Sequence, residues 1–106
     1  MTLMPIKVKE SVIEALLVAR VEALGGRCEK VAVNGRRGFF DRLIVLPGGR
    51  IIFAELKRPQ GGRLSQHQRL YATSFKLLGA EVALIRNAVD IDQLLLRPHQ
   101  EKRPKR

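Results

Sequence analysis

Glu55-Leu56-Lys57 places a carboxylate and an ammonium two residues apart, and on a β-strand that spacing sends both side chains out of the same face. The two follow an apolar run, Ile51-Ile52-Phe53-Ala54, so they fall at the carboxyl end of a strand, where a site can open at the edge of a sheet. Charges in such surroundings need partners or water. A second acid, Asp41, lies on the preceding apolar segment. Asp41 and Glu55 are equidistant from Gly48, as are Pro47 and Gly49, so a hairpin centred on Gly48 sets the two carboxylates opposite one another. Carboxylates placed side by side repel unless a cation joins them, which suits Mg²⁺ (or Mn²⁺), an ion that takes one or two carboxylates and keeps several waters. The plainer reading of the same three residues is a cross-strand ion pair of Asp41 or Glu55 with Lys57.

These residues have to be held by the elements around them. Val12, Ile13, Leu16, Leu17, Ala19, Val21 and Leu24 recur at helical spacing over residues 9–24, and Gly25-Gly26 ends the pattern. A short strand is expected over 28–33. Asn34-Gly35-Arg36-Arg37-Gly38 is a polar loop with two adjacent arginines. Strands over 39–46 and 50–57 flank the turn Pro47-Gly48-Gly49. The second is apolar on both faces, as in a central strand covered on both sides. After the loop Arg58-Pro59-Gln60-Gly61-Gly62-Arg63, Ser65 caps a helix reaching about Leu78, with Leu70, Leu77 and Leu78 expected in the core; Gly79 closes it. A strand over 81–85 and a helix over 89–96 follow. The expected fold is α/β (α+β), in the order α-β-β-β-α-β-α, with a mixed central sheet flanked by helices. Residues 1–96 form one domain in this reading, and residues 97–106 a basic, flexible tail.

The chain has 106 residues, 20 Lys and Arg against 10 Asp and Glu, and a formal net charge of +10. A surplus of that size favours a polyanionic partner, because cations that neutralise phosphates release condensed counterions. Arg36, Arg37, Arg42, Arg58, Arg63 and Arg69 cluster in sequence around the acids and would grip a nucleic-acid backbone without reading bases. Aromatics make up 5% and tryptophan is absent, which argues against a single-strand stacking platform and for duplex or branched DNA. Cys28 is the one cysteine, which excludes an internal disulfide and a multi-cysteine zinc site. His67 and His99 match no zinc spacing. No apolar run nears the roughly 20 residues of a membrane span, and the amino terminus lacks the apolar block of a signal peptide. A cytoplasmic protein, in a bacterium or a phage-infected host, is expected.

Three segments together carry a family resemblance: Gly35-Arg36-Arg37-Gly38-Phe39-Phe40-Asp41-Arg42, then Pro47-Gly48-Gly49-Arg50-Ile51-Ile52-Phe53-Ala54-Glu55-Leu56-Lys57, then Leu64-Ser65-Gln66-His67-Gln68. The chain resembles a VRR-NUC domain, the virus-type replication-repair nuclease branch of the PD-(D/E)xK superfamily, from the Glu10 helix to about Ile91. It departs at Phe40, where the family usually has proline before its aspartate.

The resemblance implies a restriction-endonuclease-like core and a metal-dependent DNA endonuclease, selective for branched DNA such as four-way (Holliday) junctions, acting in DNA repair and as a homodimer. Asp41 and Glu55 would be metal ligands, with the backbone carbonyl of Leu56 as a further one. Lys57 would orient or help deprotonate the attacking water, and Gln68 would hydrogen-bond the lysine or the water. A first-helix glutamate would stand near the metal; Glu10 and Glu14 share a helical face, and Glu10 is preferred. The contrasting possibility is a basic nucleic-acid-binding domain without catalysis, in which the acids form salt bridges only.

Overall fold

The computed structural model describes residues 8–97; the basic tail beyond them, with His99, lies outside the described residues. Helix α1 (Glu10–Ala23) is followed by strands β1 (Arg27–Lys30), β2 (Arg42–Val45) and β3 (Ile51–Leu56), helix α2 (Gln66–Leu77), strand β4 (Glu81–Ile85) and helix α3 (Ala88–Leu96). The element order is the expected one, and the strands form one sheet in the order β1-β2-β3-β4. β1-β2 and β2-β3 are antiparallel and β3-β4 is parallel, so the sheet is mixed, with α2 as the crossover that a parallel pair requires.

The hairpin register is the one implied by a turn centred on Gly48, with Arg42 opposite Ala54 and Val45 opposite Ile51. The Leu46 amide donates to the Arg50 carbonyl at 2.9 Å, and Gly49 donates back to Leu46 at 3.1 Å. Gly48 and Gly49 have φ of 89° and 88°, a conformation costly to any residue with a Cβ. The strands are shorter than their apolar runs. β1 stops at Lys30 instead of reaching Val33, because beyond Val31, whose amide still donates to Asp41 at 3.2 Å, the chain turns into the arginine loop.

Of the apolar residues in α1, Ile13, Leu17 and Val21 are buried, a stripe at i, i+4 and i+8, whereas Val12 and Leu24 are more than half exposed. This stripe packs with Ile91 and Leu94 of α3 onto Cys28, Ile44, Ile52, Ala54, Leu56 and Ile85. Burying each such Ile or Leu contributes roughly 1.5–3 kcal/mol, so this face of the sheet is the main core. Arg50, only 3% exposed, closes its lower end. Its guanidinium grips both Glu81 oxygens, at 2.9 and 2.6 Å, and donates to the Leu94 and Arg97 carbonyls, which satisfies acceptors that the end of α3 leaves open.

The opposite face is only half covered. The chain's five aromatic residues, four Phe and one Tyr, pack together there: Phe39 and Phe40 before β2, Phe53 on β3, and Tyr71 and Phe75 on α2, with centroids 4.9 Å apart for Phe53–Phe75 and 5.2 Å for Phe40–Phe75. Leu70, Leu77 and Leu78 do not join them. They are 61%, 83% and 82% exposed, against the expectation that they belong to the core, because α2 uses its aromatic side to meet the sheet and turns the leucines outward. Ile51 on β3 and Leu84 on β4 are likewise exposed. Among the described residues no helix is long and apolar enough to cross a membrane.

Candidate active site

Asp41 sits where the antiparallel ladder ends. Its amide donates to the Ala54 carbonyl at 3.0 Å and its carbonyl accepts from Val31, so its backbone is held from both neighbouring strands. That carbonyl belongs to the residue opposite Arg42, a one-residue offset at the end of the ladder. There Asp41 Oδ2 accepts the Leu56 amide at 2.8 Å, the donor that a continuing β2 strand would have taken up through its backbone.

Glu55 and Lys57 leave β3 on the face that α2 covers. Glu55 is 5% exposed. Its Oε1 accepts from Gln68 Nε2, and Lys57 Nζ stands 3.8 Å from the same oxygen. The Asp41 carboxyl lies near enough to that of Glu55 to affect its charge. Burial and then the Asp41 charge push the Glu55 pKa up from 4.5 to about 8; Lys57 acts in the opposite direction and Glu10 adds a small upward push. The Asp41 charge thus bears directly on Glu55, and a divalent cation would suit a pair of carboxyls placed this way. Among the described residues no three His, Cys, Asp or Glu side chains form a closed metal cage.

The first helix sends Glu10 and Glu14 to different partners. Glu14 pairs with Arg42 at 2.7 Å, while Glu10 lies near enough to Glu55 to affect its charge. Arg42, expected at the nucleic-acid surface with the other arginines, is instead turned inward: its side chain is 17% exposed and it also donates to the Cys28 carbonyl at 3.1 Å. Its place in the ladder opposite the core residue Ala54 points it toward α1. By contrast Arg36, Arg37, Arg58, Arg63 and Arg69 are exposed. None of these five makes an ion pair among the described residues.

Gln68 is oriented by the way α2 begins. Ser65 Oγ accepts from the Gln68 amide at 3.1 Å and Gln68 Oε1 accepts from the Ser65 amide at 2.8 Å, a capping box. With Oε1 committed to the cap, the side-chain NH₂ is the group left to meet Glu55. The Ser-x-x-Gln spacing is itself the sequence signature of this cap, so the second duty of Gln68 is legible without coordinates.

Two residues bring the Asp41 loop against α2. Phe40, 2% exposed, lies in the aromatic cluster, so packing sets the approach to Asp41 at the place where proline is usual. Gly38 has φ of 78°, and a Cβ there would come within 2.5 Å of His67 Cβ and 2.9 Å of the Gln68 amide nitrogen. Gly38→Ala is expected to cost about 1–3 kcal/mol, from strain and overpacking combined, and to loosen the Gln68–Glu55 contact. Thermal denaturation should show a Tm lower by several degrees, and an unchanged Tm would contradict this account of the loop.

No protein-family model matches the chain. A protein named "Putative nuclease p44" from Acyrthosiphon pisum secondary endosymbiont phage 1 is 40% identical over 75 residues, spanning 67% of this chain and 81% of that protein. A solved structure described as "VRR_NUC domain" superposes with a TM-score of 0.77 at 32% identity, covering 81% of this chain and 92% of the other.

Proposed function

Since the chain belongs to the VRR-NUC family of nuclease domains, we propose that it is a Mg²⁺- or Mn²⁺-dependent DNA endonuclease whose site is Glu10, Asp41, Glu55, Leu56, Lys57 and Gln68. The observation that carries this reading is that Asp41 is held on the Leu56 amide, next in the chain to Glu55, whose carboxyl meets both Gln68 and Lys57. Asp41, Glu55 and the Leu56 carbonyl would hold the cation, with Glu10 nearby. When bound, the ion supplies charge against the phosphate and lowers the pKa of water.

The chain's own groups do the rest. Lys57 Nζ, 18% exposed and 3.8 Å from Glu55, directs its positive charge to where phosphate charge builds up and orients the attacking water. Gln68 locks the Glu55 rotamer, and the Leu56 amide locks Asp41. The water gives up a proton to solvent as its oxygen adds to phosphorus, one P–O ester bond breaks, and the leaving oxygen takes up a proton from solvent. Unpaired Arg36, Arg37, Arg58, Arg63 and Arg69 bind the DNA backbone, and the packing of every aromatic into one cluster disfavours a base-stacking platform. Duplex or branched DNA is the substrate this favours, with four-way junctions and flaps foremost. A junction offers two equivalent strands to cut, and the exposed Leu70, Leu77 and Leu78 give a homodimer an apolar face to form on.

The test is cleavage of labelled four-way junctions, flaps and linear duplex with Mg²⁺, Mn²⁺ or EDTA, with the mass in solution measured alongside. Cutting that needs the cation and prefers the branched substrates supports the proposal. DNA binding without cleavage under all three conditions would make this a non-catalytic nucleic-acid-binding domain.

A further inference from the structure

A cleft of about 510 Å³ opens between the start of α1 and the loop after β3, lined by Val8, Lys9, Arg58, Gln60 and Gly61. Lys9 immediately precedes Glu10 and Arg58 immediately follows Lys57, so the cleft is built by the chain neighbours of two residues of the proposed site. None of the Lys9, Arg58 and Gln60 side chains makes a hydrogen bond or ion pair among the described residues. Elsewhere cations are spent within the fold, as in Arg20–Asp92, Arg42–Glu14 and Arg50–Glu81.

The loop wall of this cleft is held in shape. Arg86 Nη1 donates to the Gly62 carbonyl at 2.7 Å. Gly62 lies so close beneath the loop that a Cβ on it would come 2.6 Å from the Arg58 carbonyl and 3.1 Å from Lys57 Cβ. The Arg58 guanidinium lies about 4 Å from the Gly61 Cβ position, along the wall.

We propose that this cleft binds the sugar and phosphate of a nucleotide adjoining the one whose linkage is cut. The inference rests on the nuclease reading above. The cleft falls within the several hundred Å³ that small-ligand sites occupy, roughly 300–1,000 Å³. Two unpaired cations and an amide match a phosphate and a sugar, and the absence of an aromatic from the described lining leaves no surface on which a base would stack. Binding here is therefore sequence-independent, and it pulls the strand toward Lys57 along one defined side of the site.

The experiment measures DNA affinity by fluorescence anisotropy in EDTA over a series of salt concentrations, so cleavage plays no part. Lys9→Ala and Arg58→Ala are each expected to reduce the slope of log K against log salt by about 1, and the double variant by about 2. Arg27→Ala, which removes a cation already paired with Glu29, should leave the slope unchanged. A neutral methylphosphonate is then moved linkage by linkage through the DNA. At one linkage it should weaken wild-type binding about tenfold and the double variant not at all further, as a coupled contact requires. Unchanged slopes in a wild type that binds DNA, or additive losses at every linkage, overturn the cleft assignment and leave the nuclease reading standing. A wild type that does not bind DNA overturns both.

Discussion

Lys57→Ala is expected to lower the rate of DNA cleavage about a thousandfold, in the range that loss of one charged transition-state group or proton-transfer partner produces, while DNA affinity changes less than about threefold, since Arg36, Arg37, Arg58, Arg63 and Arg69 are untouched. The separation between the two readouts is the informative part. Lys57 is 18% exposed and 3.8 Å from Glu55, close enough to act at the carboxylates yet outside the core, so its removal leaves the packing of β3 intact. Single-turnover cleavage and anisotropy on one junction substrate measure the two effects. If the variant cuts as fast as the wild type, the role given to Lys57 is wrong.

The second large effect is on stability and concerns Glu55. With its pKa raised from 4.5 to about 8, the folded protein retains a proton that the unfolded chain has already released between those two values. Stability without metal therefore falls as the pH rises through that window, by at most about 1.4 kcal/mol per pH unit. Thermal denaturation in EDTA should give a lower Tm at pH 8 than at pH 5.5. Added Mg²⁺ or Mn²⁺ should raise Tm more at pH 8, where fewer protons compete for the carboxyls. Glu55→Gln keeps an oxygen for Gln68 and carries no charge, so its Tm in EDTA should exceed the wild type's at pH 8, respond little to pH over this range and gain little from the cations. A wild-type Tm that rises steadily from pH 5.5 to pH 8 in EDTA would contradict the burial and charge assigned to Glu55.

What could be read from the residues alone was whatever depends on local spacing. The turn at Gly48 set the β2-β3 register as far as Arg42 opposite Ala54, whereas Asp41, one residue further, bonds to Ala54 and not across to Glu55. The Ser65 cap set the start of α2, and Gly25-Gly26 the end of α1. What escaped depends on which face meets which. Leu70, Leu77 and Leu78 look like core residues at helical spacing, yet Tyr71 and Phe75 take the sheet and leave them outside, an arrangement only the partner surface decides. Arg42 is indistinguishable in sequence from its exposed neighbours; its inward turn comes from standing opposite Ala54 with Glu14 within reach. Helical spacing left Glu10 and Glu14 on one face, and Arg42 is what separates them. Arg50 belongs to the same class, since its partners Glu81, Leu94 and Arg97 are far along the chain.

The hydrogen bond from the Leu56 amide to Asp41 bears on how this domain could decay over evolutionary time. In a lineage released from selection for cleavage, position 57 is freer to drift, because its ammonium makes one ion pair, with Glu55, and satisfies no backbone group. Position 41 is not, because the Leu56 amide still requires a short side chain with an acceptor oxygen, which asparagine supplies and alanine does not. An inactive descendant would therefore keep part of the old motif for folding reasons alone. Residue 57 records lost activity more faithfully than residue 41.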